Sequence, residues 1–180
     1  MDRHVYKTEK SVRVTHYPDV YNNEKITKDT ILPMGTCSDE EFNKFKVERG
    51  DILITKDSES PNDIGVPCLV EDDIENTVCG YHLGIIRRTT DVHPSFYFRY
   101  LQSELVKGHF YCESSGITRF GLGKPSVENL MVPVPTNDEQ RLISRYLDKK
   151  TDQIDSLIEK IQKKIELLKE QRTSLINHYV

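Results

Sequence analysis

The chain has 180 residues, 36% hydrophobic and 30% charged, with a formal net charge of −4 at pH 7. That length fits one globular domain plus an appendage, and the low apolar content suits a modest core joined to a solvated element. The negative balance excludes a protein held on nucleic acid by a general basic coat.

From Ser11, SVRVTHYPDVYNNEKITKDTILPMG alternates apolar and polar residues and breaks at Pro18, Asn22-Asn23 and Pro33-Met34-Gly35, so it reads as strand and turn. SDEEFNKFKVERGD reads as a short helix: Ser38 is the N-cap, Glu41 completes the capping-box spacing, and Gly50 lies past the end. DILIT (51–55) is a buried strand, followed by the polar loop KDSESPNDIG. VPCLVED and TVCGYHLGIIRRT are two further strands. PSFYFRYLQSELVKGHFYCES spaces Phe96, Tyr100, Leu101 and Leu105 at helical intervals, predicting one helix over 94–107 that ends near Gly108. SSGITRFGLGKPS, with four glycines or prolines, resists regular structure, and Ser126 opens a brief helical turn before Pro133 and Pro135. The longest polar loops are 56–65 and 114–126.

The cysteines Cys37, Cys68, Cys79 and Cys112 are scattered, with no CxxC and no nearby paired histidines. Buried free thiols in a reducing compartment are expected, and neither a metal nor a cofactor. No apolar run approaches the roughly 18 residues of a membrane span. The N-terminus MDRHVYKTEK has no apolar leader segment, so a cytoplasmic location is expected.

Thr136 and Glu139 form a second capping box, opening a helix that runs to about Tyr179, on the order of 60 Å at 1.5 Å per residue. An uninterrupted heptad lies on it. Leu147, Ile154, Ile161, Leu168 and Leu175 hold one seam position, and Thr151, Ile158, Ile165, Arg172 and Tyr179 hold the other. The helix folds back on its own domain or pairs with a partner helix. Its length favours the partner, with Thr151 and Arg172 as irregularities that fix register or orientation. The expected fold class is α+β: a small mixed α/β domain over 1–135 and one long coiled-coil helix over 136–180.

The PxP exit followed by EQRLISRYLDKKTDQIDSLIEKIQKKIELLKEQRTSLI resembles the conserved helix of type I restriction-modification specificity subunits. RGDILITKDSESPNDIGVPCLV, CGYHLGIIRR and SSGITRFGLGKPSVENLMVPVP, in that order, look like the target recognition domain of the same family, so the resemblance covers the chain from about Val12 onward. A full subunit of that family has two recognition domains held apart by two antiparallel helices. The resemblance therefore implies one half of that arrangement, reading one half of a bipartite site on double-stranded DNA. The implied partners are a second copy or another half-subunit, an adenine methyltransferase subunit and, through it, the restriction subunit. Family domains usually carry a Trp and a Leu-Gly pair ahead of the first strand. This chain has no Trp, so an N-terminally short domain is expected.

Sequence readout requires side chains at base edges, flanked by phosphate contacts. The strongest cluster is Thr118, Arg119, Lys124 and Ser126 in the glycine-rich loop, with Arg119 first for guanine or phosphate. Lys56, Ser58 and Ser60 follow DILIT, beside Asp57 and Glu59, which either accept from cytosine amino groups or form a solvated acidic loop. Arg87 and Arg88 end a strand, one facing solvent and the other meeting phosphate. His82 reads as a hydrogen-bonded core residue, and Tyr97, Tyr100 and Tyr111 read as packing residues. No glycine-rich cofactor loop, Asn-Pro-Pro-aromatic tetrapeptide or P-loop is present, so no catalysis is expected of the chain alone. Pro18-Asp19 with Glu24-Lys25 lacks the spacing of a nuclease pattern and reads as a turn. Two competing readings are a coiled-coil oligomerisation protein whose acidic head binds another protein, and an inhibitory half-subunit.

Overall fold

The computed structural model describes residues 9–88 and 92–180. The N-terminal stretch read for a leader segment lies mostly outside the described residues. The elements are, in order, β1 (Lys10–Thr15), α1 (Tyr17–Tyr21), β2 (Lys25–Ile26), β3 (Met34–Cys37), α2 (Asp39–Phe45), β4 (Ile52–Thr55) and β5 (Asp57–Ser58). They continue with β6 (Pro67–Val70), β7 (Thr77–Cys79), β8 (Leu83–Ile86), α3 (Pro94–Leu101), α4 (Glu104–Glu113), β9 (Phe120–Gly121), α5 (Lys124–Glu128) and α6 (Asn137–Tyr179). The α+β class is what the structure shows: a mixed unit of small sheets and short helices, followed by a long C-terminal helix. The chain divides into two compact units, Met1–Arg141 and Leu142–Val180.

In the first unit, β2-β6-β4-β8 form one sheet and β3-β1-β7 another, while β5 and β9 make a two-stranded ladder. All four residues of β4 are buried. Its alternation sends Leu53 into a cluster with Val20, Ile26, Cys68, Val70 and Leu83. Ile52 and Ile54 enter a second cluster with Leu69, Phe98, Leu101, Val106 and Phe110. Val12, Val14, Cys37 and Val78 close a third cluster on the smaller sheet.

Both capping boxes are present. The Ser38 hydroxyl accepts from the Glu41 amide, and the Glu41 carboxylate accepts from the Ser38 amide at 3.0 Å. Glu139 accepts from the Thr136 amide at 2.9 Å and hydroxyl at 2.7 Å, which holds its carboxyl below the usual range. Helix α2 stops at Phe45, before the predicted end, because Lys46 turns extended and bridges Val78.

Four expectations are corrected. TVCGYHLGIIRRT is not one strand: β7 joins the smaller sheet and β8 the larger, with the break at Gly80-Tyr81. There a Cβ on Gly80 would strike the Thr15 carbonyl, so the close approach to β1 requires glycine. The single helix predicted over 94–107 is two helices, because Ser103 caps a new one by accepting from the Val106 amide. Gly108 lies inside that second helix, where a Cβ would meet nothing. The glycine-rich segment, expected to be irregular, contains β9 and the start of α5. The Pro18-Asp19 turn is the one-turn helix α1, capped by Asp19 accepting from the His16 amide.

Cys37, Cys68 and Cys79 are buried as expected, but Cys112 is exposed on α4. Burial pushes the Cys68 and Cys79 thiols up to about 12 and raises Cys37 as well. Alkylation of the native chain at pH 8 should therefore modify one thiol rapidly. Mass spectrometry should place the label on Cys112, Cys112→Ser should remove the fast phase, and denaturant should expose the other three.

Candidate nucleic-acid interface

Three segments far apart in sequence meet at the end of β4. Asp57 and Ser58 pair with Gly121 and Phe120, and Gly121 also bridges Ser115. The Leu122 amide donates to the Lys56 carbonyl at 2.8 Å, and the Lys56 amide donates to the His82 carbonyl at 3.1 Å. Phe120 and Leu122 pack against the cluster beneath, so the loop is anchored to the core on one side. Its tight return requires glycine at 116, where φ is +149° and a Cβ would run into the Arg119 carbonyl.

On this frame the side chains form one network. An Asp57 oxygen lies 2.7 Å from His82 Nδ1, and its other oxygen accepts from Arg119 at 2.9 Å. Lys56 Nζ sits 4.7 Å from the centre of the Tyr81 ring. Tyr17 stacks on Tyr21 at 5.4 Å, and Tyr21 donates to Asp63 at 2.7 Å, which raises its phenol pKa. Burial pushes the Tyr17 phenol up, while the Ser58 hydroxyl pulls the other way. A shallow cleft of about 260 Å³ lies between these tyrosines, Asp57, Ser58 and Arg119. The face thus offers aromatic planes, exposed cations and a braced arginine, the groups that recognise bases and phosphates.

The structure separates the predicted contact residues. Thr118, Arg119 and Lys124 are exposed, the last paired with Glu128 at 3.1 Å, and Lys56 is partly so. Ser126 is 6% exposed and its carbonyl faces His109 Nε2 at 2.8 Å; it presents no side chain to solvent. Ser58 is also buried and accepts from the Ser60 amide, while Ser60 caps the following turn by accepting from Asn62. Ser58 and Ser126 are thus buried and Ser60 half-buried, and the hydroxyls of Ser58 and Ser60 are bonded within their own turn. Arg88 is exposed and donates to the Val92 carbonyl at 3.3 Å.

His82 is hydrogen-bonded, as expected, but it is not a core residue: its side chain is 42% exposed. Tyr97 and Tyr100 pack on the second cluster, whereas Tyr111 is exposed. Sequence reasoning missed Tyr17, Tyr21 and Tyr81 as members of this face. Their only sequence cue is that each stands beside a turn residue, Pro18, Asn22 or Gly80.

In the second unit, the heptad residues Ile154, Ile158, Ile161, Ile165, Leu168 and Leu175 stand about half exposed. By helical spacing Leu157 and Ile176, not counted in the seam, widen it. The Thr151 hydroxyl is bonded back to the Leu147 and Asp148 carbonyls, both at 3.0 Å.

The family model for the type I restriction modification DNA specificity domain matches residues 13–167. The chain belongs to that family. A crystal structure of a type I restriction-modification system S subunit from M. genitalium aligns with a TM-score of 0.47 at 15% identity, covering 87% of this chain and 44% of that one. The chain therefore spans less than half the length of that S subunit. No curated protein matches. Among the described residues no helix is long and apolar enough to cross a membrane.

Arg87, one of the two arginines from which a phosphate contact is expected, is tied into the fold of the first unit. Its guanidinium grips the buried Asp51 carboxylate through two bonds of 2.8 and 2.7 Å and donates to the Lys46 carbonyl at 2.8 Å. The hydrogen bond to Asp51 raises the Arg87 pKa. Arg87→Ala would leave Asp51 buried with only the Glu48 amide donating to it. The expected cost is about 2 kcal/mol, reduced from a fully buried pair because Arg87 is partly solvated. Urea denaturation checks this, and a mere phosphate contact would leave the midpoint unchanged.

Proposed function

We propose that this chain is the DNA-recognition half of a type I restriction-modification system, reading one part of a bipartite target on double-stranded DNA. Without catalysis of its own, and without metal or cofactor, it positions an adenine methyltransferase subunit and, through it, the restriction subunit. It does so in the cytoplasm. The observation that carries the reading is the family match together with the face where Thr118, Arg119 and Lys124 are exposed, and Lys56 partly so, around a loop anchored to the core. Arg88 adds a phosphate contact from the neighbouring strand end. Ser58, Ser60 and Ser126 belong to the scaffold of that face.

The globular domain, 1–135, does the reading, and the helix, 136–180, is the spacer. Its exposed seam of Leu147, Thr151, Ile154, Ile158, Ile161, Ile165, Leu168, Arg172, Leu175 and Tyr179 takes a helix from a second copy, or from another half-subunit, in an antiparallel coiled coil. A pair of identical halves is two-fold symmetric and reads an interrupted palindrome. The acidic balance of residues 1 to 137 is the observation that favours a second reading, a coiled-coil module whose head binds protein.

Co-expression with the adenine methyltransferase subunit encoded nearest to it, followed by mapping of methylated adenines in the host DNA, separates the two. A palindromic, interrupted motif is expected. A stable complex that yields no new methylation would leave the protein-binding or inhibitory reading. A second test addresses the seam. The purified chain is expected to sediment as a dimer at micromolar concentration, and Ile158→Asp with Ile161→Asp should convert it to monomer. A wild-type monomer would refute self-pairing.

A further inference from the structure

We infer that Asp57 is a positioning residue for sequence readout: with His82 as its brace, it holds Arg119 for the edge of a guanine. The inference rests on the DNA-recognition reading. Both carboxylate oxygens of Asp57 are engaged, one 2.7 Å from His82 Nδ1 and the other 2.9 Å from the Arg119 guanidinium. The Asp57 side chain is only 18% exposed, whereas that of Arg119 is 55% exposed. The carboxylate is therefore a fixed point at the base of a solvent-facing arginine. Arg119 is also fixed at its root, because the next residue, Phe120, is in β9 and packs on the core.

The chemistry of the two possible targets decides between them. For a phosphate contact an adjoining carboxylate is a handicap, since it repels the anion and cancels the charge that attracts it. For a base edge the requirement is different. Guanine O6 and N7 are neutral acceptors, and discrimination depends on the direction of a two-pronged donor more than on its charge. A carboxylate that engages one guanidinium nitrogen and stops the side chain from wandering meets that requirement. Isolated surface ion pairs contribute little, but this one is a three-member network tying residues 57, 82 and 119. The same geometry argues against Asp57 as a reader of cytosine amino groups, because its side chain is only 18% exposed and each oxygen is already engaged within the fold.

The test uses the full-length chain. A pool of duplexes with a randomised core is selected on the wild type, and the affinity of the consensus duplex is compared with that of a scrambled one. Asp57→Asn and Arg119→Lys should each reduce the consensus-to-scrambled ratio by about tenfold to a hundredfold, the span of one lost bidentate contact. Scrambled-duplex affinity should fall in neither variant, and in Asp57→Asn it should rise slightly because an acid beside the contact is neutralised; a general loss of structure would lower it. The double variant should be no worse than Arg119→Lys alone, since Asp57 acts through Arg119. Replacing the contacted guanine by 7-deazaguanine should weaken the wild type and leave Arg119→Lys indifferent.

An undiminished ratio in Asp57→Asn, losses that add in the double variant, or a parallel fall in scrambled binding would each overturn the inference while the DNA-recognition reading stood. A wild type that selects no sequence would overturn both.

Discussion

Strand β4 has no exposed face, and the globular unit is arranged around that constraint. An extended chain of Ile, Leu, Ile and Thr buried on both sides must be flanked by other strands, and β6 and β8 provide them antiparallel. Leu53 looks into one cluster while Ile52 and Ile54 look into the other, at roughly 1.5–3 kcal/mol of burial for each large aliphatic side chain. The chain therefore leaves Thr55 at a fixed place and in a fixed direction. Thr55 also closes the loop it starts: its carbonyl accepts from the Gly65 amide and its hydroxyl from the Val66 amide. Lys56, Asp57 and Ser58 inherit their positions from the core in this way, and the glycine-rich segment inherits its position from them through β5 and β9.

On the DNA-recognition role proposed above, this construction reconciles a head of negative charge with a surface for DNA. Affinity from general electrostatics is weak for such a molecule, because sixteen basic side chains are outnumbered by twenty-one acidic ones over residues 1 to 137. Selectivity is a ratio of specific to non-specific binding, and weak non-specific binding raises it. Acids close to the proposed contact residues, such as Asp57 beside Arg119 and Glu128 beside Lys124, are then consistent with a reader that depends on geometry.

What the sequence made legible was whatever depends on neighbours within four residues. The capping boxes at Ser38 and Thr136, the buried run of β4 and the long C-terminal helix all have local causes, and each is found where its spacing puts it. The errors lie where a local pattern has two outcomes. Apolar residues on both sides of Gly80-Tyr81 fit one strand or two, and the contact of Gly80 with β1 decides it. Gly108 has the look of a helix stop, but Ser103 had already capped the helix that contains it. The Asp57, His82 and Arg119 network was not legible because its members are 25 and 37 residues apart, and only the pairing of β5 with β9 and the Lys56–His82 backbone bond unite them. His82 read as a core histidine for the same reason: its apolar neighbours predict burial, whereas its partner arrives from another segment.

The second unit obeys a different rule. A 43-residue helix with Ile and Leu every three or four residues, each about half exposed, leaves a continuous apolar stripe in water. A stripe of this kind favours a surface that removes it from solvent, and the unbroken alternation of three- and four-residue steps suits the helix of matching period proposed above. Because Thr151 turns its hydroxyl onto its own backbone, Arg172 remains the polar irregularity in the seam. It is flanked along the helix by Leu168 and Leu175, so a partner must offer an acceptor or a solvent-open gap opposite that one turn. The site of the irregularity, near the C-terminal end, makes parallel and antiparallel pairings unequal: in a parallel homodimer two guanidinium groups would face each other, and in an antiparallel one each faces the opposite end of its partner. In the self-pairing proposed above, like-charge repulsion would favour the antiparallel arrangement, so a single seam residue would bias the geometry on which two separated recognition units depend.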